Sequence, residues 1–445
     1  MEGRATAIKL TDFRSVPMRT FHITWFSFFI CFFGWFGIAP LMTVLREEFA
    51  LTKAQMGNLV IASVSVTIFM RLFLGWLCDR LGPRKTYAGL LFLGAIPVMT
   101  IGFADTYMEL LVWRCLIGSI GAAFVLTQYH TSVMFAPNVV GTANATTAGW
   151  GNLGAGFAQM AMPLLFATIT ALGYSDAVGW RASMTIAGVV IFLCGFLYLW
   201  GTEDSPVNDL PKPKEPKSPH GLKDNLQFLK DRRIWILAIL YGACFGIELT
   251  TYNVCAVYFH DEFQLGLAEA GLVVGIFGLM NIFGRTLGGV SSDFIAQKSG
   301  LKGRSMFLGA VIFLEGVFLM AFSQAPSLPL VIIALVCFGL FVQLAEGATF
   351  SLVPFINKQH LGLATGIVGA GGNLGAVAAG FLVRSDYSLS QAFAIMGITI
   401  IFCSVLTFSL VFSKETEQRE ATELRRALRL RLVAKLRARR AVATT

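Results

Sequence analysis

Twelve long apolar runs, separated by shorter polar segments, dominate the pattern of this chain. Each run is long enough to cross a hydrocarbon layer of about 30 Å as an α-helix. Only helices or closed barrels satisfy backbone hydrogen bonds in lipid, and the runs lack the two-residue alternation of barrel strands. The pattern therefore predicts an all-α integral membrane protein with twelve transmembrane helices. The runs cover residues 21–45, 54–77, 86–104, 108–135, 140–172, 181–201, 234–259, 270–297, 305–323, 328–355, 361–383 and 390–412.

The polar segments divide the chain into five predicted regions. A stretch rich in Pro and Lys lies between the sixth and seventh runs, which is typical of a linker. We expect an N-terminal arm at 1–20, an N-terminal six-helix bundle at 21–201, a linker at 202–232, a C-terminal six-helix bundle at 233–412 and a basic tail at 413–445.

Composition separates this chain from soluble enzymes. Apolar residues make up 55% of it and charged residues only 14%, against about 25% charged residues in soluble domains. The eight cysteines are scattered, without a CxxC motif, which predicts free thiols rather than a disulfide framework or a zinc site. The first apolar run is too long for a cleavable signal. The sequence contains no metal-ligand cluster, nucleotide loop or credible triad, so we expect neither an enzyme nor a cofactor.

Basic residues accumulate on one side of the predicted membrane. The linker has five lysines, and the loop after the second run contains Arg80, Arg84 and Lys85. The opposite loops are short and often acidic. The positive-inside rule therefore predicts that both termini and the linker are cytoplasmic, in a multi-pass protein of the cell membrane.

The two halves of the chain repeat each other. "RLFLGWLCD" begins at Arg71 and "RTLGGVSSD" begins at Arg285, each with Gly four residues and Asp eight residues after Arg. "GNLGA" occurs in the fifth and eleventh runs, and "GAAF" and "GATF" occur in the fourth and tenth. Three repeats in the same order indicate a duplicated six-helix unit. In such bundles the substrate site lies near the bilayer midplane, between the halves.

Arg71 and Arg285 interrupt apolar helices, where a charge costs about 2.5–3.5 kcal/mol on insertion scales. One explanation is an ion pair with a carboxylate of a neighbouring helix. However, equivalent positions in two pseudo-symmetric halves predict that the arginines face each other across a central cavity. Facing cations repel, so an anion must lie between them during part of the cycle. The planar guanidinium fork matches planar oxyanions, which favours a small anion as substrate.

The segment "GWLCDRLGPRK" after the second run resembles the loop 2–3 signature of the major facilitator superfamily, and "GGVSSDFIAQKSGLKGR" is its weaker echo. The resemblance implies a major facilitator fold with two pseudo-symmetric six-helix halves. It also implies that a set of charged residues latches cytoplasmic helix ends and helps to gate alternating access. These residues are Asp79, Arg80, Arg84, Lys85 and Asp293. An anchoring role for the basic members is compatible with this.

The segments "AGWGNLGAGFAQ" and "GAGGNLGAVAAGF" indicate only close helix packing when taken alone. Together with the two arginines they resemble the paired signatures of the nitrate/nitrite porter family. "YGACFGIELTTYNVCAVYF" is similar to the branch that contains high-affinity nitrate transporters. The resemblance implies a transporter for nitrate, with nitrite as a further substrate, in which Arg71 and Arg285 clamp the anion. It implies that the pocket also contains Asn152, Asn373, Tyr241, Phe245, Phe124 and Phe350.

Some of these assignments have simpler alternatives. For each aromatic side chain the alternative is ordinary core or lipid-facing packing, because Phe occurs in every run. Gln128, one turn after Phe124, is a further candidate for the pocket. Another anion such as phosphate is also compatible with a pair of arginines.

Import of a monovalent anion against an inside-negative potential costs about 2.3 kcal/mol per 100 mV, so a driving ion is needed. Glu248 shares a helical face with Phe245, and Glu346 lies four residues before Phe350. Each carboxylate is either a proton site or a fixed partner of an arginine. The resemblance favours proton symport; nitrate/nitrite exchange, or a nitrate sensor with little flux, are the alternatives.

Other charged positions have less specific interpretations. Eight basic residues and no acid lie within 425–440, which favours a helix on anionic lipid, and we do not expect nucleic-acid binding. Arg114 either couples protons or braces helices, and we expect Glu315 to be peripheral.

Overall fold

The computed structural model describes residues 3–136, 139–206, 229–356, 361–418 and 422. Nearly all of these residues are helical. Most of the predicted basic tail, and most of the predicted linker, lie outside the described residues. The membrane helices before the linker are α1 (Val16–Glu48), α2 (Lys53–Leu81), α3 (Pro83–Phe103), α4 (Tyr107–Met134), α5 (Val140–Ala171) and α6 (Asp176–Gly201). Those after it are α7 (Arg232–Phe263), the stretch Leu267–Gln324, α10 (Leu328–Phe355), α11 (Ala364–Arg384) and α12 (Leu389–Ser409).

The stretch Leu267–Gln324 contains two crossings. Its 58 residues, at about 1.5 Å of rise each, far exceed the thickness of a bilayer. Gly300 interrupts it with φ 60° and ψ −150°, a left-handed conformation that favours glycine. We therefore divide the stretch into α8 (267–299) and α9 (301–324). The eleven helical stretches of the described residues thus account for the twelve predicted crossings.

Caps at one end of the bundle explain where several helices begin. Thr52, Thr106 and Ser388 each accept a hydrogen bond from the backbone N–H three residues later, and the Gln or Glu side chain there bonds back. These capping boxes satisfy donors that the first helical turn leaves free. We call this end, where α1 ends and α2 begins, the distal end, and the opposite one the proximal end. In the predicted orientation the distal end is extracellular.

The two six-helix halves pack along α2 with α11 and along α5 with α8. Glycines permit these contacts: a Cβ atom on Gly156 of α5 would lie 2.6 Å from the Cα atom of Gly278 of α8. On the other side, Gly57 lies against the backbone of Arg384 at the distal end, and Gly380 lies against Ile61. The contacts between the halves therefore extend from the distal end towards the middle of the bundle.

Candidate anion site between the two halves

The structure brings the two predicted arginines to one buried location. Arg71 on α2 is 7% exposed and Arg285 on α8 is 5% exposed. Their guanidinium carbons lie 5.8 Å and 6.0 Å, respectively, from the centre of the Phe245 ring. The separation of the two charges therefore cannot exceed the sum of these distances, and both guanidinium groups flank the same aromatic ring.

Three further predicted aromatic residues contact this ring, its stacking partner or Arg71. Tyr241 stacks on Phe245 with ring centres 5.1 Å apart and planes at 9°. Phe350 meets Tyr241 edge-on at 5.0 Å, and Phe124 lies 5.4 Å from the guanidinium carbon of Arg71. A cation over an aromatic face gains about 0.5–2 kcal/mol, which helps to hold Arg71 in an apolar environment.

The glycines of α11 let its backbone approach the arginine and the aromatic rings. Arg71 Nη1 donates a hydrogen bond of 2.7 Å to the carbonyl oxygen of Gly369, which crosses from one half to the other. A Cβ atom on Gly372 would lie 2.6 Å from the Phe245 ring and 3.0 Å from the Tyr241 ring. The glycine-rich segment is therefore part of the site as well as a packing surface.

Two equivalent asparagines carry unused hydrogen-bonding groups. Asn152 on α5 and Asn373 on α11 are fully buried, and within the described ranges neither their side-chain oxygens nor their nitrogens have a partner. An unsatisfied buried polar group costs about 1–3 kcal/mol, so both amides retain the capacity to bind a guest. Gln128 differs, because its Nε2 donates to the carbonyl oxygen of Asn144 at 3.1 Å.

The two predicted carboxylates have different surroundings. Glu346 on α10 forms a buried ion pair with Arg285. Glu248 on α7 instead accepts hydrogen bonds at Oε1 from Asn281 at 2.9 Å and from Gln343 at 2.7 Å. Among the described residues, no carboxylate is paired with Arg71. Of the two arginines, only Arg285 therefore has its charge neutralised by an acid.

Asn281 and Gln343 were not predicted, although the sequence contained a signal for them. Asn281 lies four residues before Arg285, and Gln343 lies three residues before Glu346, so each pair shares one helical face. Polar side chains on the face of a candidate site residue, inside an apolar run, are therefore worth including in the prediction.

Glu315 on α9 contradicts the expectation that it is peripheral. Its side chain is fully buried, and neither carboxylate oxygen has a hydrogen-bond partner in the described part of the chain. The reason is local packing: the neighbouring Gly316 brings α9 so close to α12 that a Cβ atom there would lie 2.7 Å from the carbonyl oxygen of Gly397.

The family model described as Major Facilitator Superfamily matches residues 24–354 and 256–444. The chain belongs to the Major Facilitator Superfamily.

Several superfamily relatives resemble it along most of their length. The chain is 39% identical to High affinity nitrate transporter 2.5 of Arabidopsis thaliana, over 91% of this chain and 82% of that protein. It is 34% identical to Nitrate transporter 2.1 of Chlamydomonas reinhardtii, over 95% and 80%. It is 29% identical to Nitrate/nitrite transporter NrtP of a Picosynechococcus strain, over 80% and 83%. The resemblance to the nitrate/nitrite porter family of the superfamily is thereby confirmed.

Solved superfamily structures confirm the fold. A bacterial homolog of the human lysosomal transporter Spinster, inward-facing and unoccupied, matches with a TM-score of 0.71 at 15% identity, over 91% of this chain and 98% of that one. A mutant of the nucleoside transporter NupG matches with a TM-score of 0.64 at 15% identity, over 88% and 98%. The predicted major facilitator architecture of a multi-pass membrane protein is therefore correct.

The residues of the superfamily signature lie at the proximal end. The backbone N–H of Arg84 donates to Asp204 at 2.8 Å, and its Nε donates to the carbonyl oxygen of Leu199 at 2.6 Å. Both contacts join the start of α3 to the end of α6, within one half.

The remaining signature residues also lie near the ends of helices. The Arg80 guanidinium carbon lies 4.1 Å above the Trp76 ring, and Asp79 and Lys85 are exposed. Asp293 pairs with Arg304 at 2.6 Å across the junction of α8 and α9. The contacts described here therefore join helix ends within each half, and gating by these residues stays a prediction.

Proposed function

We propose that this protein imports nitrate, and also nitrite, across the cell membrane by alternating access coupled to protons, with both termini cytoplasmic. One observation carries the proposal: Arg71 and Arg285 flank one buried aromatic ring, and of the two only Arg285 is paired with an acid among the described residues. The nitrate transporters among the relatives support the choice of anion.

The chemistry of the site suits a flat monovalent oxyanion. The guanidinium of Arg71 supplies a positive charge and planar donors, and one of these currently bonds only to a backbone carbonyl. The stacked rings of Tyr241 and Phe245 offer a flat wall. The unused amides of Asn152 and Asn373 can donate to the oxygens of the anion.

The ion pair between Glu346 and Arg285 provides a route for coupling. While Glu346 is ionised, it neutralises Arg285 and competes with nitrate for that guanidinium. Protonation of Glu346 releases Arg285, so both arginines can then hold the anion. Loss of the proton on the cytoplasmic side restores the ion pair and expels nitrate.

A second proton would make the transport step electrically favourable. One proton per nitrate only cancels the charge of the anion, whereas two protons move net positive charge inwards, down the potential. Glu248 is the candidate for the second proton, because its Oε2 has no partner in the described structure, while Asn281 and Gln343 hold Oε1.

Uptake of isotopically labelled nitrate into liposomes that contain the purified protein tests the proposal, with voltage and pH gradient set independently. Symport predicts that an inward proton gradient accelerates uptake at zero voltage. If nitrite inside the liposomes accelerates nitrate uptake without a pH gradient, the mechanism is exchange and not symport. Saturable nitrate binding without flux would replace a carrier with a sensor.

A further inference from the structure

Arg114 is a further buried arginine, and it lies outside the site that contains Arg71 and Arg285. Arg114 on α4 is only 1% exposed. Its Nη1 donates to the carbonyl oxygen of Trp35 at 2.6 Å, and its Nη2 donates to the side-chain oxygen of Asn253 at 2.5 Å. Its Nε has no partner, and no carboxylate pairs with it among the described residues.

The charge of Arg114 is only partly offset. Trp35 lies in the last turn of the α-helical segment Val16–Phe36 of α1, and such an end carries about half a negative elementary charge. The other acceptor, Asn253, is neutral. A buried guanidinium thus keeps excess positive charge, together with an unused donor, and this combination is expensive unless an anion visits it.

Asn253 connects Arg114 to a cavity that lies between the two halves. This distal cavity measures about 640 Å³ and is lined by residues of α1, α2, α7 and the α11–α12 region. Arg46 of α1 and Asp261 of α7 lie in its wall, and Asn253 contributes to its lining. Asn253 therefore both lines the cavity and accepts a hydrogen bond from the guanidinium of Arg114.

We propose that Arg114 is a second anion-binding site. It binds a small planar oxyanion before that anion reaches Arg71 and Arg285. The inference rests on the proposed function. Trp35 belongs to the same half as Arg114, whereas Asn253 belongs to the other half. Separation of the halves at the distal end therefore withdraws Asn253 and frees Nη2 next to the unused Nε. The arriving anion and Asn253 compete for the same donor.

Asn253→Asp tests the proposal, because it places a permanent carboxylate against Arg114 with little change in shape. We expect the KM for nitrate uptake by the reconstituted protein to rise about tenfold or more, the effect of losing one hydrogen bond between charged groups. Asn253→Leu removes the competitor without adding a charge, and we expect its KM to be no higher than that of the wild type.

Asn58→Asp is the matched control. Asn58 also lies near the distal end but bonds to Tyr107, so the same change of charge there should leave KM unaltered. Equilibrium nitrate binding by the purified variants provides the second readout. For Asn253→Asp we expect it to stay within about twofold of the wild type, because Arg71 and Arg285 are intact.

Three outcomes would contradict the proposal that Arg114 binds the arriving anion. The first is a wild-type KM in Asn253→Asp, and the second is an equal rise in Asn253→Asp and Asn58→Asp. The third is a loss of equilibrium binding in Asn253→Asp as large as its loss of uptake, which would assign Arg114 a structural role only. If instead the wild-type protein takes up no nitrate, the proposed function itself fails.

Discussion

The buried arginines and glutamates of this protein differ in whether an oppositely charged side chain pairs with them. Within the described residues, the middle of the bundle buries three arginines (Arg71, Arg114 and Arg285) and three glutamates (Glu248, Glu315 and Glu346). Of these, only Arg285 and Glu346 form an ion pair in the described structure. A buried, unpaired charge is costly, so the unpaired members are candidates for binding mobile ions, and substitutions can test them one at a time.

The shape of the Arg71 side chain can be tested separately from its charge. Arg71→Lys keeps the positive charge but loses the planar fork and its bond to Gly369. We expect nitrate uptake, normalised to protein in the membrane, to fall about ten- to a hundredfold, the effect of losing a charge-assisted hydrogen bond. The same change at the exposed Arg232 should have no effect. Undiminished uptake by Arg71→Lys would contradict the clamp.

The coupling role of Glu346 predicts a change in pH dependence. In the wild type, nitrate binding should tighten as the pH falls, because protonation of Glu346 releases Arg285. Glu346→Gln mimics the protonated state, so binding should be tight at every pH while proton-driven accumulation is lost. Binding isotherms measured between about pH 5 and 8, the range in which coupled carboxylates are tuned to act, test this.

Glu315→Gln is the matched control for Glu346→Gln, because it also removes a buried carboxylate but one without an arginine partner in the described structure. Its binding should keep the pH dependence of the wild type. If Glu346→Gln keeps the pH dependence of the wild type, Glu346 is not the proton site, and Glu248 becomes the candidate.

At the scale of elements, glycine spacing on α11 decides how closely the helix approaches its neighbours. A Cβ atom at Gly371 would collide with the backbone of Ala238, and one at Gly372 would collide with the rings of Tyr241 and Phe245. A Cβ atom at Gly366 would meet nothing within 4 Å. The α11 signature therefore both packs the helix and shapes the aromatic wall.

Gly372→Ala should displace the stacked rings and weaken nitrate binding several-fold, because overpacking typically costs about 1–3 kcal/mol. Gly366→Ala, on the same helix but with free space around it, should bind nitrate as the wild type does. Binding assays and thermal unfolding of both purified variants check this. Equal nitrate binding by the two variants would show that Gly372 does not shape the nitrate site.

At the scale of the whole molecule, the two halves are joined at the distal end by more than helix packing. Arg46 at the end of α1 donates two hydrogen bonds, of 2.6 Å and 2.7 Å, to the carboxylate of Asp261 at the end of α7. This bidentate pair connects residues of opposite halves in the wall of the distal cavity. It therefore ties the two halves together on the side through which the anion is expected to arrive.

Asp261→Asn should therefore shift the protein towards a state that is open at the distal end. The pair is partly exposed and such pairs contribute at most about 1 kcal/mol, so we expect the open population to grow only a few-fold. Distances between spin labels on the α1–α2 and α7–α8 loops report this shift. Glu262→Gln removes a neighbouring carboxylate of the same cavity and should leave the distances unchanged.

The sequence alone predicted the twelve crossings, the duplication and the candidate residues for an anion site. Apolar length and repeated motifs are local properties that the bilayer converts directly into helices, and the equivalence of Arg71 and Arg285 follows from the duplication. The structure adds that a short break at Gly300, rather than a longer loop, joins the eighth and ninth predicted crossings.

Only the tertiary structure decided which charges meet. Glu346 pairs with Arg285 and Glu248 does not, and Arg114 reaches Asn253 on a helix of the other half. Helices that are apolar on every side carry little signal about which face turns inwards, and lipid offers no polar solvent to sort those faces. The rotation and tilt of each helix are set by glycine contacts with distant segments, so these pairings emerge only when all twelve helices are packed.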